Sequence, residues 1–157
     1  MQITAYDLAR RYLGLHELAG PGHDHPLIQW WLSLCGLPDS PDETPWCGAF
    51  LTGVAWELDL PRSTAAGARS WLTIGRPVAL PDATIGYDVV VLRRGPPPQP
   101  DASVLHAPGH VGFFAGWPGD TVGGATLLLL SGNVADAVTI SPFPAADVLG
   151  VRRLHVE

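Results

Sequence analysis

The stretch TPWCGAFLTGVAWEL, residues 44 to 58, decides how the rest of the chain is read. Trp46, Phe50, Val54 and Leu58, with Leu51 and Ala55 beside them, recur at helical spacing and form one apolar stripe. Thr44 can cap such a helix, Pro45 suits its first position, and Pro61 closes it. The spacing predicts a packed helix that carries Cys47 in its first turn.

Working outward, Tyr6, Leu8, Ala9, Tyr12 and Leu13 predict a first helix over about residues 4 to 14, ended by Gly14. A Gly/Pro-rich loop from Ala19 to Pro26 separates it from a second helix carried by Leu27, Ile28, Trp30, Trp31, Leu32 and Leu34. A short turn or helix is expected around Ala65 to Leu72. From Tyr87 the texture changes to short β-branched or aromatic runs: Asp88 to Leu92, His110 to Gly116, Thr126 to Leu130, Ala137 to Ile140 and Val148 to Val156. Helices followed by an antiparallel meander make an α+β layout, read as a single domain over residues 1–157. The proline-rich stretch at about residues 93–109 reads as a surface loop between the first two of these strands.

Composition narrows the function. Apolar residues make up 46% of the 157 and charged residues 15%, which describes a compact globule and excludes a disordered chain. The longest apolar run, Ala125 to Leu130 broken only by Thr126, is far shorter than the roughly 20 residues that cross a bilayer, so no stable membrane association is expected. With 9 basic residues, all arginine, against 15 acidic ones, the net charge is -6. Nucleic acid is thereby disfavoured as a partner, because phosphate binding needs a concentrated basic patch. Pairs such as Arg93-Arg94 and Arg152-Arg153 read as solvated strand ends. The N-terminus lacks a basic start followed by an apolar block, so synthesis in the cytoplasm without a signal peptide is expected. Two cysteines, Cys35 and Cys47, make no disulfide framework.

A thiol is a useful nucleophile when its thiolate is favoured, and the unpaired amides of a helix N-terminus help. Cys47 is placed there, although a free cysteine is also a common buried apolar residue. The nucleophile needs a base, and the base needs an orienting group. His110 opens one strand and Asn133 follows the next. If those strands pair as antiparallel neighbours, both residues reach the same end of the sheet. Cysteine on a helix start, histidine on one strand and an amide on the next is the papain-type arrangement.

Pro45-Trp46-Cys47-Gly48-Ala49-Phe50, Ala68-Arg69-Ser70-Trp71-Leu72, Gly109-His110-Val111-Gly112-Phe113-Phe114 and Ser131-Gly132-Asn133 together resemble the small papain-like cell-wall hydrolases of the NlpC and CHAP kind. The likeness is to a single-domain subgroup common in prophages and phage-like gene clusters. It implies a papain-like fold with N-terminal helices packed on a small antiparallel sheet. It also implies Cys47 as nucleophile, His110 as general base and then acid, and Asn133 as the group that orients the imidazole. The implied substrate is the peptide stem of peptidoglycan, cut at an amide bond by an endopeptidase or an N-acetylmuramoyl-L-alanine amidase, with neither metal nor organic cofactor. An endolysin-like enzyme of this kind acts on the wall after release or delivery, by way of a holin or a phage-like particle. Val134 after Asn133, the proline-rich insertion and Tyr87 depart from the family pattern.

Other residues carry competing readings. Trp46 and Trp71 are candidates for a substrate platform or for core packing. Asp42, with Glu43, either binds a cationic amine of the substrate or stabilises the helix start. His23-Asp24-His25 would need a third ligand, His16 or His106, to hold zinc. The alternative to a cysteine hydrolase is thus a catalytically silent or zinc-dependent cell-wall binding or amidase module.

Overall fold

The computed structural model describes residues 1–155, in which three helices cover one face of a six-stranded antiparallel sheet. Helix α1 (Ala5–Arg10) starts at a capping box: the Thr4 hydroxyl accepts from the Asp7 N–H, and the Asp7 carboxylate accepts from the Thr4 N–H. It is shorter than the periodicity predicts, because residues 11–14 continue as turns up to Gly14 at φ +88. Helix α2 (Pro26–Leu34) begins with its proline, and His25 Nδ1 accepts from the Leu27 N–H at 3.1 Å.

Helix α3 (Cys47–Glu57) starts at Cys47 rather than at Pro45. Trp46 is its N-cap, at φ -124 and ψ 15 and with no side-chain cap. Tertiary contact holds the entry: the Trp46 ring is buried and its Nε1–H donates to Glu17 Oε1 at 2.9 Å. Thr44 is used in a turn instead, donating its N–H to the Pro41 carbonyl at 3.0 Å. Every residue from Cys47 to Ala55 is buried, so α3 is apolar all round and lies between α2 and the sheet. Gly53 permits this, since a Cβ there would overlap the Trp31 indole.

The strands are β1 (Arg76–Val78), β2 (Asp88–Arg93), β3 (Gly109–Gly116), β4 (Thr126–Val134), β5 (Ala137–Pro144) and β6 (Val148–Arg153). Their order, β1-β6-β2-β3-β4-β5, corrects the expected meander: β6 returns to lie between β1 and β2. β1 was not expected, because two of its three residues are exposed and it has no alternation to read. The last strand ends at Arg153, and the predicted extension to Val156 reaches outside the described residues.

Both faces of the central strands are buried. Val89, Val91, Val111 and Phe113 pack beneath the helices, while Val90, Leu92, Phe114, Leu127 and Leu129 build a second cluster on the outer face. That is why β2 reads as an unbroken apolar run. The proline-rich segment joins β2 to β3, and Arg69, on a 3-10 helix (Ala68–Thr73), fastens it. The Arg69 guanidinium donates to the carbonyls of Pro108, Pro100, Asp101 and Val104 at 2.9, 3.0, 2.7 and 3.2 Å. No helix among the described residues is long and apolar enough to cross a membrane.

Candidate active site

Cys47 is the first residue of α3, where backbone N–H groups have no partner within the helix. Its side chain is 4% exposed, and burial pushes the thiol pKa up. The backbone N–H groups of Val111 and Gly48 and the Arg94 charge act in the opposite sense. The thiol lines a cavity of about 400 Å³ shared with Pro45, Gly67, Arg94, His106 and Gly109.

His110 is 6% exposed on β3, its ring stacked on Phe143 with centroids 4.9 Å apart. Its Nε2 lies 2.9 Å from Ser131 Oγ. Burial first, and the Arg94 charge second, lower its pKa from 6.5 to about 4. At neutral pH the resting pair is therefore a neutral thiol and a neutral imidazole. In the tautomer whose Nε2–H donates to Ser131, Nδ1 keeps a lone pair and can accept a proton.

Asn133 sits near the end of β4 at φ +60, where the pairing of β4 with β5 shifts between Ser131 and Val134. β3 and β4 are antiparallel neighbours, and His110 and Asn133 line one cavity of about 370 Å³ together with Arg93, Arg94, Phe143 and Asp147. The side chain bonded to the imidazole is nevertheless Ser131, which is fully buried. Sequence reasoning passed over it, although a signal was present: Ser131 shares the alternation of Leu127 and Leu129. Gly112 makes room for it, since a Cβ there would stand 2.8 Å from the Ser131 Cβ.

Strand alternation separates the two reactive groups. Val111 packs beneath the helices with Cys47, whereas His110 faces outward with Ser131 and Phe143. Among the described residues no hydrogen bond joins the Cys47 thiol to the His110 ring. Arg94 lines both cavities and links them at the end of the sheet.

Trp46, Trp71 and Asp42, the other candidates for substrate contact, are each 0% exposed. The two indoles pack in the core under the site. Asp42 Oδ2 accepts from the N–H groups of Leu18 and His25, both at 2.9 Å, and so ties two loops together. His23 Nδ1 and His25 Nδ1 are engaged by the Ala19 carbonyl and the Leu27 N–H. The metal-capable group among the described residues is instead Asp24, Asp42 and Glu43, whose ligand atoms lie within 4.8 Å of one another. It offers oxygen alone, which suits hard cations better than zinc.

The buried imidazole makes a stability prediction. In the folded chain His110 resists protonation down to about 4, while the unfolded chain takes up the proton near 6.5. Stability is therefore fully present above pH 6.5 and is lost as pH falls toward 4, by on the order of 3 kcal/mol. Urea unfolding across that window should show the loss in the wild type and a flatter profile in His110→Gln. Parallel profiles for the two proteins would contradict it.

No family model matches the chain, and no curated protein matches it at a significant level. Among solved structures, the chain superposes on NlpC1 from Trichomonas vaginalis with a TM-score of 0.51 at 16% identity. The match covers 98% of this chain and 44% of that one, so the chain spans less than half the length of its structural neighbour. Helices over an antiparallel sheet, with Cys47 at the start of the central helix, are thus arranged in an NlpC-like fold.

Proposed function

We propose that this chain is a papain-like cysteine hydrolase that cleaves an amide bond in the peptide stem of peptidoglycan. The observation that carries the reading is the position of Cys47, at the first residue of a buried helix and against the strand that presents His110. The NlpC-like fold and the shared cavity of His110 and Asn133 support it.

In the proposed reaction the Cys47 sulfur attacks the carbonyl carbon as its proton passes to His110 Nδ1. Because the resting pair is neutral, this transfer accompanies attack rather than preceding it. A water or a turn of the His110 ring over Gly109 spans the two cavities. The free amides at the start of α3 face the developing oxyanion. His110 then protonates the leaving amine, and water attacks the thioester to release the acid and restore the thiol. Ser131 holds the ring through Nε2, and Asn133 borders the same space. The setting we favour is lytic or wall-crossing, in a CHAP-like prophage enzyme that is made in the cytoplasm and reaches the wall with a holin or a phage-like particle.

The separation of Cys47 from His110 favours one alternative, a catalytically silent module of the same fold that binds the wall. Digestion of purified sacculi distinguishes the two. Wild-type protein should release fragments with new amino termini in the presence of a chelator, and Cys47→Ser should release none. The new termini identify the bond. A folded wild-type protein that releases nothing from sacculi of several wall chemistries would sink the hydrolase reading.

A further inference from the structure

Arg93 and Arg94 have no place in the chemistry described above, and they stand at its centre. Arg93 is the last residue of β2 and Arg94 follows it, so both come to the sheet end that carries His110 and Asn133. Both line the His110 cavity, and Arg94 also lines the Cys47 cavity. Among the described residues neither guanidinium has a hydrogen-bond or ion-pair partner, and Arg93 Nε is buried without one. In a chain with 15 acidic and 9 basic residues, two adjacent unpaired arginines are not explained by a shortage of carboxylates. A buried donor without a partner is destabilising, and a bound acceptor would remove that cost.

We propose that Arg93 and Arg94 form an anion subsite that receives a free carboxylate carried on the amine side of the scissile bond. This rests on the cysteine hydrolase reading for the word scissile, but the binding itself does not require catalysis. Guanidinium groups present paired N–H donors that match the two oxygens of a carboxylate. Two arginines and Asp147 on the cavity wall leave one net positive charge, which matches a monoanion better than a dianionic phosphate. The subsite lies on the His110 side, and His110 is the group that protonates the leaving amine. A carboxylate seated there therefore belongs to the leaving fragment. Stem peptides offer such groups, because γ-linked and terminal residues keep a free α-carboxylate. Amidation of that carboxylate would turn a substrate into a poor ligand.

The test measures binding in the Cys47→Ser protein, where no cleavage interferes. The probes are N-acetyl-L-alanyl-γ-D-glutamyl methylamide, with a free α-carboxylate, and its α-carboxamide. Calorimetry should show the acid binding about tenfold or more tightly than the amide, a preference that weakens with salt. Arg94→Gln and Arg93→Gln, each in the Cys47→Ser background, should reduce that preference to within about twofold, and Arg94→Lys should restore part of it. Bound acid should also raise the titration of His110 followed by NMR, because it offsets the Arg94 charge. Equal binding of acid and amide, no binding of either, or a preference untouched by both glutamine variants would overturn the subsite. Cleavage of sacculi without the preference would leave the hydrolase standing and the subsite refuted. The preference without cleavage would do the reverse.

Discussion

Cys47→Ala, His110→Ala and the double variant should all lower release of stem-peptide fragments to one shared residual level, at least about 10⁴-fold below wild type. The equality is the informative part. Residues that act as one unit lose nearly everything when either is removed, so the second substitution has nothing left to subtract. The structure makes this a demanding expectation, because Cys47 packs with the inner face of β3 while His110 faces outward from it, and their cavities share only Arg94. If catalysis brings the His110 ring or a water across that gap, the losses coincide. Losses that add, or a His110→Ala protein that keeps most of its activity, would show that Cys47 takes its base from elsewhere, and His106 in the same cavity would be the next residue to examine.

Arg69→Met should loosen the segment between β2 and β3 and lower stability by about 3 kcal/mol or more. Arg69 is 0% exposed, and its guanidinium serves four backbone carbonyls, of which only that of Asp101 also accepts from a backbone N–H, that of Val104 at 3.2 Å. Methionine keeps the stem's packing and removes the donors. For a chain of 157 residues the loss corresponds to a fall in Tm of roughly 10 °C. Limited proteolysis should then cut between residues 95 and 108 faster than it does in the wild type. The same segment supplies His106, Ala107 and Pro108 to the Cys47 cavity, so KM should rise as well. Arg69→Lys should recover little, because an ammonium cannot reproduce the spread of a guanidinium fork. A Tm within about 2 °C of wild type would show that the carbonyls are satisfied without Arg69.

The α+β layout was legible because it rests on local patterns. The periodicity of α2 and α3, the apolar runs of β2, β3 and β4 and the Gly/Pro breaks between them are each properties of contiguous residues. The start of α3 was misplaced because Trp46 is held by Glu17 and by its place in the core, contacts that link distant parts of the chain. The position of β6 beside β2 was hidden for the same reason: strand order depends on which faces can be buried together, and a meander and an inserted strand share one sequence signature.

The candidate site divides along the same line. Cys47 at a helix start, and His110 with Asn133 at one end of adjacent strands, followed from sequence order and antiparallel pairing alone. Tertiary structure decided the rest. It gave the imidazole to Ser131, turned His110 away from the face of β3 that packs with Cys47, buried Trp46, Trp71 and Asp42, and left Arg93 and Arg94 at the His110 cavity with no partner among the described residues. Which partner a polar side chain meets, and whether burial shifts its proton affinity, depend on packing between segments far apart in the chain. Local residue pattern determines elements and their faces; the closure of those elements around a shared core determines chemistry.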